Sequence, residues 1–439
     1  MNIIKGFNKS KSFLSANRFI NLSSDSILQS SQMVFGEPLD AHSYVQKIVD
    51  QVRNNGDQAI KDLVLKIEGH ETNGFVINQE KLEDAYNKIP KNLQKALTLS
   101  SERISEFHKK SLPKSWYDET EGYGQNFIPV NSVGAYIPGG TARYPSTVLM
   151  STIPAKIAGV KKISITCPIN SNGDIPDSVL AAAYIAKVDK VYGVGGAQAV
   201  AALAYGTETI EPVDIICGPG NLFVTLAKKI VFGDVGIDGL YGPTETLVIA
   251  DNYSNPTLVA ADLIAQAEHD ELAKPILITN SNDIATKVQS ELDIRVSRIT
   301  RNSIAQSSLQ DQGAICVVNS IEESLTLANI FAPEHLCLAV ESPEKWVPFV
   351  LNAGMIFLGE FSHEVLGDYG AGPSHVMPTA GTARFNSGLG VQTFQKTVPI
   401  VNISKSNSIK IGELAATIAK EEGLTGHAEA AEIRKELFE

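Results

Sequence analysis

A glutamate and a histidine stand side by side in the later half of the chain. Glu334-His335 follows Phe331-Ala332-Pro333 and precedes a predicted strand. An imidazole with a pKa near 6.5 can take up and return a proton at neutral pH, and an adjacent carboxylate can support that role. The pattern indicates an acid–base pair, although a polar pair in a surface loop fits the same residues.

A second polar pair lies at the end of a predicted helix. Gln266 and His269 are three residues apart in Gln266-Ala267-Glu268-His269, so both side chains share one helix face. Two donors at this spacing could chelate a metal ion. Glutamine is a poor zinc ligand compared with His, Cys and carboxylates, however, and His269 could instead cap the last helix carbonyls. The residues alone favour the cap.

Glycine-rich segments mark further places where a ligand could approach the backbone. Gly367–His375 contains Asp368 and is expected to form a loop. Gly193–Gln198 and Gly218–Asn221 each follow a predicted strand and open a helix, which exposes amide groups to an anion such as a pyrophosphate. Neither is a GxGxxG fingerprint, so tight strand–helix packing explains them equally well.

Composition argues against several classes of partner. The 439 residues, 43% hydrophobic and 20% charged, are typical of a globular protein with two to four domains. A net charge of -12 argues against nucleic acid or an anionic membrane surface. The cysteines are scattered without a CxxC pair, which is typical of free thiols in a reducing compartment, here the cytoplasm; they are Cys167, Cys217, Cys316 and Cys337.

Alternating strands and helices must position these residues. Apolar spacing near 3.6 predicts helices around residues 40–49, 57–66 and 89–108. After Gly134, helical segments alternate with short strands, predicted at 134–137, 163–167, 190–194, 214–217, 246–250, 275–279, 314–318, 336–340 and 355–358. We therefore predict an α/β fold with two doubly wound, incomplete Rossmann-like parallel-sheet domains plus small N- and C-terminal helical extensions. Such sheets bind ligands beyond the carboxyl ends of their strands, so we expect the chemistry on strand-ending loops.

Taken together, several segments resemble the histidinol dehydrogenase family in their order and spacing. The resemblance runs from about Gly56 to near the end of the chain. The segments that carry it are Ala135–Gly140, Tyr144–Met150, Gly195–Ala204, Gly218–Asn221, Gln266–His269, Pro333–Leu336, Gly367–Tyr369, His375-Val376 with Pro378-Thr379, and Leu424-Thr425 before His427. Several motifs in one order are far more specific than any single motif.

The resemblance implies a zinc site, a catalytic pair and an NAD site. The family's zinc ligands fall on Gln266, His269, Asp368 and His427. The resemblance thus implies that Gln266 and His269 bind zinc, instead of His269 capping the end of a helix. The catalytic pair falls on Glu334 and His335, and the NAD contacts fall on Tyr136, Gln198 and Asn221. The substrate contacts fall on Thr244, His375 and Glu422, together with Gln266, His269, Glu334, His335, Asp368 and His427.

The resemblance also implies a four-electron reaction in a homodimer. L-Histidinol would be oxidised through L-histidinal to L-histidine, the last steps of histidine biosynthesis, with two NAD used in turn and one zinc ion per subunit anchoring the substrate. His335 would take the hydroxyl proton, and Glu334 would activate the water that hydrates the aldehyde. Each C-terminal tail is expected to cross to the partner, where Glu422 and His427 would complete the site.

The predicted domains follow from this assignment. We expect an N-terminal arm over 1–32, a first α/β domain over 33–134 and 246–388 with the zinc and catalytic residues, an NAD-binding α/β domain over 135–245, and a helical tail over 389–439. The basic, acid-free N-terminus is expected to be an ordinary arm rather than a cleaved targeting segment.

Departures from the family pattern keep other functions open. Thr244 stands where Ser is usual, Tyr241 where Ala is common, Ser374 where Asn is frequent, Ile215 where Lys is common, and His363 where Pro is frequent. They motivate one alternative, a sister zinc- and NAD-dependent dehydrogenase of another small alcohol such as a sulfonated diol. A zinc-dependent hydrolase and a catalytically inactive binding protein are the alternatives from other classes.

Overall fold

The structure is a computed structural model that describes residues 1–16, 24–72, 74–139, 143–170 and 173–438. Gly140, in one of the motifs above, lies outside these residues. The strands are β1 (Asn2–Lys5), β2 (Val76–Ile77), β3 (Trp116–Asp118), β4 (Tyr123–Pro129), β5 (Ser132–Tyr136), β6 (Lys162–Thr166), β7 (Lys190–Tyr192), β8 (Ile215–Cys217), β9 (Gly236–Ile237), β10 (Glu245–Ala250), β11 (Lys274–Thr279), β12 (Ala314–Val317), β13 (His335–Ala339), β14 (Met355–Leu358) and β15 (Gln395–Val401).

Helices connect and cover these strands. They are α1 (Phe7–Ala16), α2 (Asp25–Phe35), α3 (Ala41–Glu68), α4 (Gln79–Lys88), α5 (Lys91–Lys110), α6 (Pro145–Ala158), α7 (Asp177–Ala186), α8 (Gly196–Tyr205), α9 (Leu222–Val231), α10 (Pro256–Ala267), α11 (Asn282–Arg295), α12 (Asn302–Asp311), α13 (Ile321–Phe331), α14 (Glu364–Tyr369), α15 (Lys405–Glu421) and α16 (Thr425–Phe438). Among the residues that the structure describes, we find no helix with the length and apolar character needed to cross a bilayer.

The chain forms two compact units. The large unit comprises Met1–Ser111 and Val130–Phe394, and the small unit comprises Leu112–Pro129 and Gln395–Glu439. The small unit contains an antiparallel sheet of order β15-β4-β3 and the packed helix pair α15 and α16. The domain boundaries expected from the sequence stay a prediction.

Two six-stranded sheets organise the large unit. Sheet A has the order β1-β12-β11-β10-β13-β14 and is parallel throughout. Sheet B has the order β2-β7-β6-β5-β8-β9 and is parallel except for the pairing of β2 with β7. All residues of β10 are buried, as expected for a parallel strand covered on both faces. The predicted α/β class with two parallel sheets is confirmed.

The N-terminal part of the chain adds an edge strand to sheet A and helices that cover sheet B. Asn2–Lys5, in the segment expected to be an arm, forms the edge strand of sheet A beside β12. Helix α3 packs with α8 and α9 on one face of sheet B, while α4, α5, α6 and α7 pack together on the other. The two predicted helices at 40–49 and 57–66 are the halves of α3, joined at Gly56 with φ 53° and ψ -135°.

In each sheet the strand order reverses at one point. In sheet B the chain passes from β5 outward through β6 and β7 and returns to β8, which pairs with the other side of β5. In sheet A it passes from β10 through β11 and β12 and returns to β13. A crevice opens at such a reversal, which makes it the usual place for a ligand.

One expectation about local structure was wrong, and two helices lie where no prediction was made. Asp368 lies in the short helix α14 rather than in a glycine-rich loop, because the helix begins at Glu364 and ends only at Tyr369. Helices α11 and α12 were not predicted; α11 has four buried residues on an otherwise polar surface, so its apolar periodicity is weak.

Candidate active site

A buried carboxylate lies where β10 and β13 begin. The Oε2 atom of Glu334 accepts hydrogen bonds from Thr244 Oγ1 at 2.6 Å and from the backbone N–H of Glu245 at 3.0 Å. The register of the two strands pairs Thr246 with His335, so these residues meet at the amino edge of sheet A. Burial raises the pKa of Glu334 above its ordinary value, while His335 and the two donors oppose that rise.

This position corrects an expectation. Thr244 and Glu334 precede their strands, whereas the sequence analysis expected the chemistry on strand-ending loops. In sheet A the candidate residues therefore lie at the edge opposite to the one expected. In sheet B the candidate residues do lie at the carboxyl edge: Tyr136 is the last residue of β5, and Asn221 lies just beyond the end of β8.

His335 is held beside this carboxylate. Its Nδ1 lies 3.1 Å from the carbonyl oxygen of Glu245 and 3.7 Å from Glu334 Oε2, and its ring stacks on Phe357 with centroids 6.0 Å apart. Its Nε2 lies 3.8 Å from Asp368 Oδ1 and has no hydrogen-bond partner among the described residues. An Nδ1–H donor to the carbonyl would leave Nε2 as the atom for proton transfer.

The charges around His335 favour its protonated form. Burial alone would lower the pKa of this imidazole, but the carboxylates of Glu334, Asp368 and Glu364 outweigh burial and raise the pKa to about 10. A positive charge bound at Asp368 would weaken this effect and return the imidazole toward neutrality.

Gln266 and Thr244 extend the hydrogen-bonded cluster. Gln266 is 2% exposed at the carboxyl-terminal end of α10, and its Nε2 donates to Thr244 Oγ1. The amide oxygen of Gln266 takes no part in this hydrogen bond. His269 follows the end of α10 and remains accessible to solvent, but desolvation by the groups packed around its ring lowers its pKa, although Asp368 opposes this, and so favours the neutral ring.

Asp368 and His375 complete the group. Burial would raise the pKa of Asp368, but the neighbouring His335, His375 and His269 hold it below the ordinary value. His375 Nδ1 lies 2.9 Å from the backbone oxygen of Asp368, and its Nε2 lies 3.2 Å from Thr147 Oγ1 in α6.

The structure thus brings seven predicted site residues together at the amino edge of sheet A: Thr244, Gln266, His269, Glu334, His335, Asp368 and His375. A cleft of about 410 Å³ adjoins them, lined among others by His269, Glu268, Tyr144 and Tyr369. Within the described ranges, no group of three or more His, Cys, Asp or Glu side chains is arranged to hold a metal ion.

The residues predicted to contact NAD lie at the carboxyl edge of sheet B. Tyr136 ends β5, and its hydroxyl accepts from the backbone N–H of Gly196 at 3.2 Å. Gln198 is 2% exposed in the first turn of α8. Asn221 caps α9, where its Oδ1 accepts from the N–H groups of Phe223 and Val224 at 3.1 and 3.2 Å.

The two helix N-termini at this edge differ in how their amides are used. The side chain of Asn221 satisfies amides of α9, whereas the N-cap of α8 is Gly195, which has no side chain to do so. The Gly196 N–H of α8 donates to the Tyr136 hydroxyl, but no N-cap side chain covers the amides after it, so this N-terminus is the better place for an anion, which the helix dipole also favours.

A buried ion pair shapes the turn after β8 and was missed by the sequence analysis. Lys228 donates to Asp238 and, at 3.0 Å, to the carbonyl oxygen of Gly218, while Asp238 accepts from the Gly218 N–H at 2.7 Å. Both side chains are almost fully buried. The Tyr241 ring covers Lys228, with the ammonium 4.7 Å from the ring centroid. The sequence signal that could have revealed this ion pair is Lys228, a charged residue within the largely apolar helix α9.

Glu364 is a second residue that the sequence analysis missed. It opens α14, is 2% exposed, and accepts a hydrogen bond from Thr246, the residue paired with His335 across the strands. Burial raises the pKa of Glu364 to about 8. An acidic residue in the first turn of a helix is common, so its type and position gave no sign of burial.

The remaining predicted residues lie in the small unit. Glu422 follows α15 as its C-cap, and His427 lies in the first turn of α16; both are exposed. Their contribution to a partner's site stays a prediction.

The departures from the family pattern have simple local roles. Thr244 uses the hydroxyl that serine would also supply. Ser374 donates to the carbonyl oxygen of Met150 at 3.0 Å, and His363 is the N-cap of α14. Ile215 begins β8. Tyr241 differs most from the small residue usual at its position, because its ring packs over Lys228.

The buried Glu364 predicts how stability depends on pH. Between its ordinary pKa of 4.5 and its folded pKa of about 8, the folded protein keeps a proton that the unfolded chain releases, so this group makes stability fall as pH rises. Glu364→Gln removes the titration. We expect the variant to gain stability relative to the parent by up to about 1 kcal/mol per pH unit from pH 5 to 8, measured by urea unfolding. The exposed Glu344→Gln is the control, and parallel curves for parent and Glu364→Gln would contradict the assignment.

Comparison with known proteins gives one consistent result. A family model described as histidinol dehydrogenase matches residues 36–435. The chain is 46% identical over 431 residues to a histidinol dehydrogenase of Dehalococcoides mccartyi (strain CBDB1), covering 98% of this chain and 99% of that protein. It is 46% identical over 399 residues to one from Prochlorococcus marinus, covering 90% and 91%.

A solved structure agrees with these relatives. The crystal structure of histidinol dehydrogenase from Elizabethkingia anophelis superposes with a TM-score of 0.91 at 33% identity, covering 99% of this chain and 98% of that one. A family match across most of the chain and relatives of this identity and coverage leave one assignment: the chain belongs to the histidinol dehydrogenase family.

Proposed function

We propose that this protein oxidises L-histidinol through L-histidinal to L-histidine, using NAD as the hydride acceptor and zinc as the substrate anchor. The observation that carries the proposal is the buried Glu334–His335 pair, hydrogen-bonded to Gln266 through Thr244, with His335 Nε2 3.8 Å from Asp368 Oδ1. An oxidation of an alcohol and then of a hydrated aldehyde needs a base at each step, and this pair supplies two.

The donor set fits a zinc ion. Metal ligands must be deprotonated, and here the pKa of His269 is lowered, the pKa of Asp368 is lowered, and Gln266 keeps its amide oxygen. His427 of a second subunit would supply the fourth donor. When bound, zinc supplies a Lewis-acidic charge that anchors the substrate's nitrogen atoms.

The chain's own groups then handle protons. His335 takes the hydroxyl proton at Nε2, the ring nitrogen not turned to the carbonyl of Glu245. Glu334, whose Oε2 is fixed by Thr244 and the Glu245 amide, uses Oε1 to remove a proton from the water that adds to the aldehyde. His335 gives its first proton to the aldehyde oxygen as the water adds, becomes neutral again, and then accepts the proton of the hydrate. His375, fixed between Asp368 and Thr147, is placed to hydrogen-bond the oxygen end of the substrate.

The carboxyl edge of sheet B fits a dinucleotide. Tyr136, Gln198 and Asn221 surround the place where the strand order reverses, and the N-terminus of α8, which has no capping side chain, suits a pyrophosphate. When bound, NAD supplies the hydride acceptor. The loop from Asp238 to Thr244 runs directly from this edge to Glu334, so cofactor and base belong to neighbouring parts of one unit.

A homodimer is part of the proposal. Large apolar side chains of the small unit remain exposed, which a monomer in water would avoid; they include Trp116, Tyr123, Leu414 and Ile418. A second copy that covers them would bring a foreign tail to each site. Glu422 would then pair with the substrate ammonium, and His427 would complete the zinc ligands.

The reaction predicts a fixed stoichiometry. Purified protein with L-histidinol and NAD is expected to form two NADH per alcohol consumed, followed by absorbance and by chromatography of L-histidine. Activity is expected to fall with a chelator and to return with zinc. One NADH per alcohol, or better turnover of a sulfonated diol in a substrate panel, would favour the sister dehydrogenase, and turnover of an ester or amide without NAD would favour a hydrolase.

Substitutions of the two proposed bases, Glu334 and His335, are expected to affect different steps of the reaction. Glu334→Gln is expected to slow oxidation of added L-histidinal by about 100-fold or more and to affect the alcohol step less, because only hydration needs the second base. His335→Asn is the matched comparison and is expected to slow both steps while zinc content is unchanged. Equal losses in both half-reactions for Glu334→Gln would count against its water-activating role.

A shared site predicts complementation between subunits. His335→Asn and His427→Ala homodimers are each expected to be inactive, but a mixed dimer contains one intact site, because both changes then fall in the same shared site and leave the other unaltered. Differently tagged subunits, purified as heterodimers, are expected to recover roughly half of the parent activity. Verified heterodimers without activity would show that the tail serves its own subunit.

A further inference from the structure

Helix α3 ends in a carboxylate that faces the proposed NAD site. Glu68, the last residue of α3, accepts a hydrogen bond from Gln198 Nε2 at 3.4 Å, and its other oxygen lies 3.8 Å from His70 Nε2. The side chain is 23% exposed. Neither the resemblance nor the comparisons give this residue a role.

These contacts hold the carboxylate only weakly. An amide donor at 3.4 Å is near the limit of a hydrogen bond, and 3.8 Å is too long for one. Burial raises the pKa of Glu68, which reflects the poor solvation of its charge. A half-buried carboxylate with two weak partners gains most from a ligand that brings hydroxyl donors.

The surroundings point to a nucleotide ribose. Glu68 contacts Gln198 in the first turn of α8, and the N-cap of that helix, Gly195, has no side chain to cover the amides that follow Gly196. A pyrophosphate on those amides would place its attached sugar within the same few ångströms as the helix's first turn. In doubly wound nucleotide sites a carboxylate commonly accepts the ribose hydroxyls.

The face of sheet B on which Glu68 lies indicates which of the two riboses of NAD it would meet. His375 of the catalytic cluster bonds to Thr147 of α6, which lies on the face of sheet B that α5 and α7 share. Glu68 belongs to α3, which packs with α8 and α9 on the opposite face. The nicotinamide must lie near the cluster, so the sugar near Glu68 belongs to the adenosine end.

We propose that Glu68 accepts hydrogen bonds from the 2′- and 3′-hydroxyls of the adenosine ribose of NAD and excludes NADP through the repulsion between its charge and the 2′-phosphate. The proposal rests on the NAD-dependent function proposed above. An ionised carboxylate only accepts hydrogen bonds, so it binds a diol well and a phosphate poorly.

Binding to the unmodified protein gives the first test. Calorimetry is expected to show that the adenosine 2′-deoxy analogue of NAD binds about 10-fold more weakly than NAD, the worth of one hydrogen bond to a charged group. NADP is expected to bind about 100-fold more weakly. Equal affinities for NAD and its 2′-deoxy analogue would overturn the proposal without any variant.

Substitution gives the second test. Glu68→Gln is expected to bind NAD and the 2′-deoxy analogue within about 3-fold of each other, and to lose about 10-fold of the discrimination against NADP. Glu68→Asp, which keeps the charge, is expected to retain most of that discrimination. The KM for L-histidinol should not change in either variant. Glu71→Gln removes an exposed charge three residues away and is the control.

The outcomes separate this proposal from the function. Unchanged NAD and NADP preferences in Glu68→Gln, in a protein that still forms NADH from L-histidinol, would overturn the role of Glu68 alone. Absence of NADH formation by the parent protein would overturn the proposed function, whatever the binding preferences are.

Discussion

The buried carboxylate of Glu334 constrains more of this molecule than any other single group. A carboxylate out of water must keep its donors, and both donors of Glu334 lie at the entry to β10, in Thr244 and the amide of Glu245. His335 is held by the carbonyl of the same Glu245, and Gln266 by the hydroxyl of the same Thr244. Two strands and one helix end are therefore fixed together by one short segment, and the distances within the site follow from the register of β10 and β13.

The two sheets present opposite edges to the proposed chemistry, and the connection between them explains why. Strand β9 leaves sheet B at its carboxyl edge, and β10 enters sheet A at its amino edge. Only the residues from Asp238 to Thr244 join them, a length that spans at most about 25 Å when extended. The carboxyl edge of one sheet and the amino edge of the other must then lie close. Asp238 anchors the start of this connection to Lys228, and Thr244 anchors its end to Glu334.

Negative charge collects around His335 beyond what one imidazole can balance. Glu334 and Glu364 are buried and have raised pKa values, while Asp368 keeps its charge next to the histidine ring. In such a group each lost proton makes the next harder to lose, so the carboxylates and the imidazole titrate together. A bound cation would take the place of some of these protons. The arrangement therefore suits a metal ion and a cationic amino alcohol better than an anionic substrate.

Much of the sheet layout could be predicted from the sequence, because apolar runs between glycine-rich turns report on local burial. The strand Met355–Leu358 has the predicted bounds, and the strand predicted at 314–318 is observed at Ala314–Val317. Family resemblance, not residue type, singled out Gln266, which pattern reasoning would have left as part of a helix end. Lys228 and Glu364 were missed because a charged residue is normally exposed, and only the packed fold shows that Asp238 and Thr246 accompany them. The sequence by itself determined the alternation of strands and helices and the residue types available for chemistry. Only the tertiary structure decided that the candidate site residues meet at the amino edge of sheet A, because strand order and register come from contacts between distant segments, which local patterns do not encode.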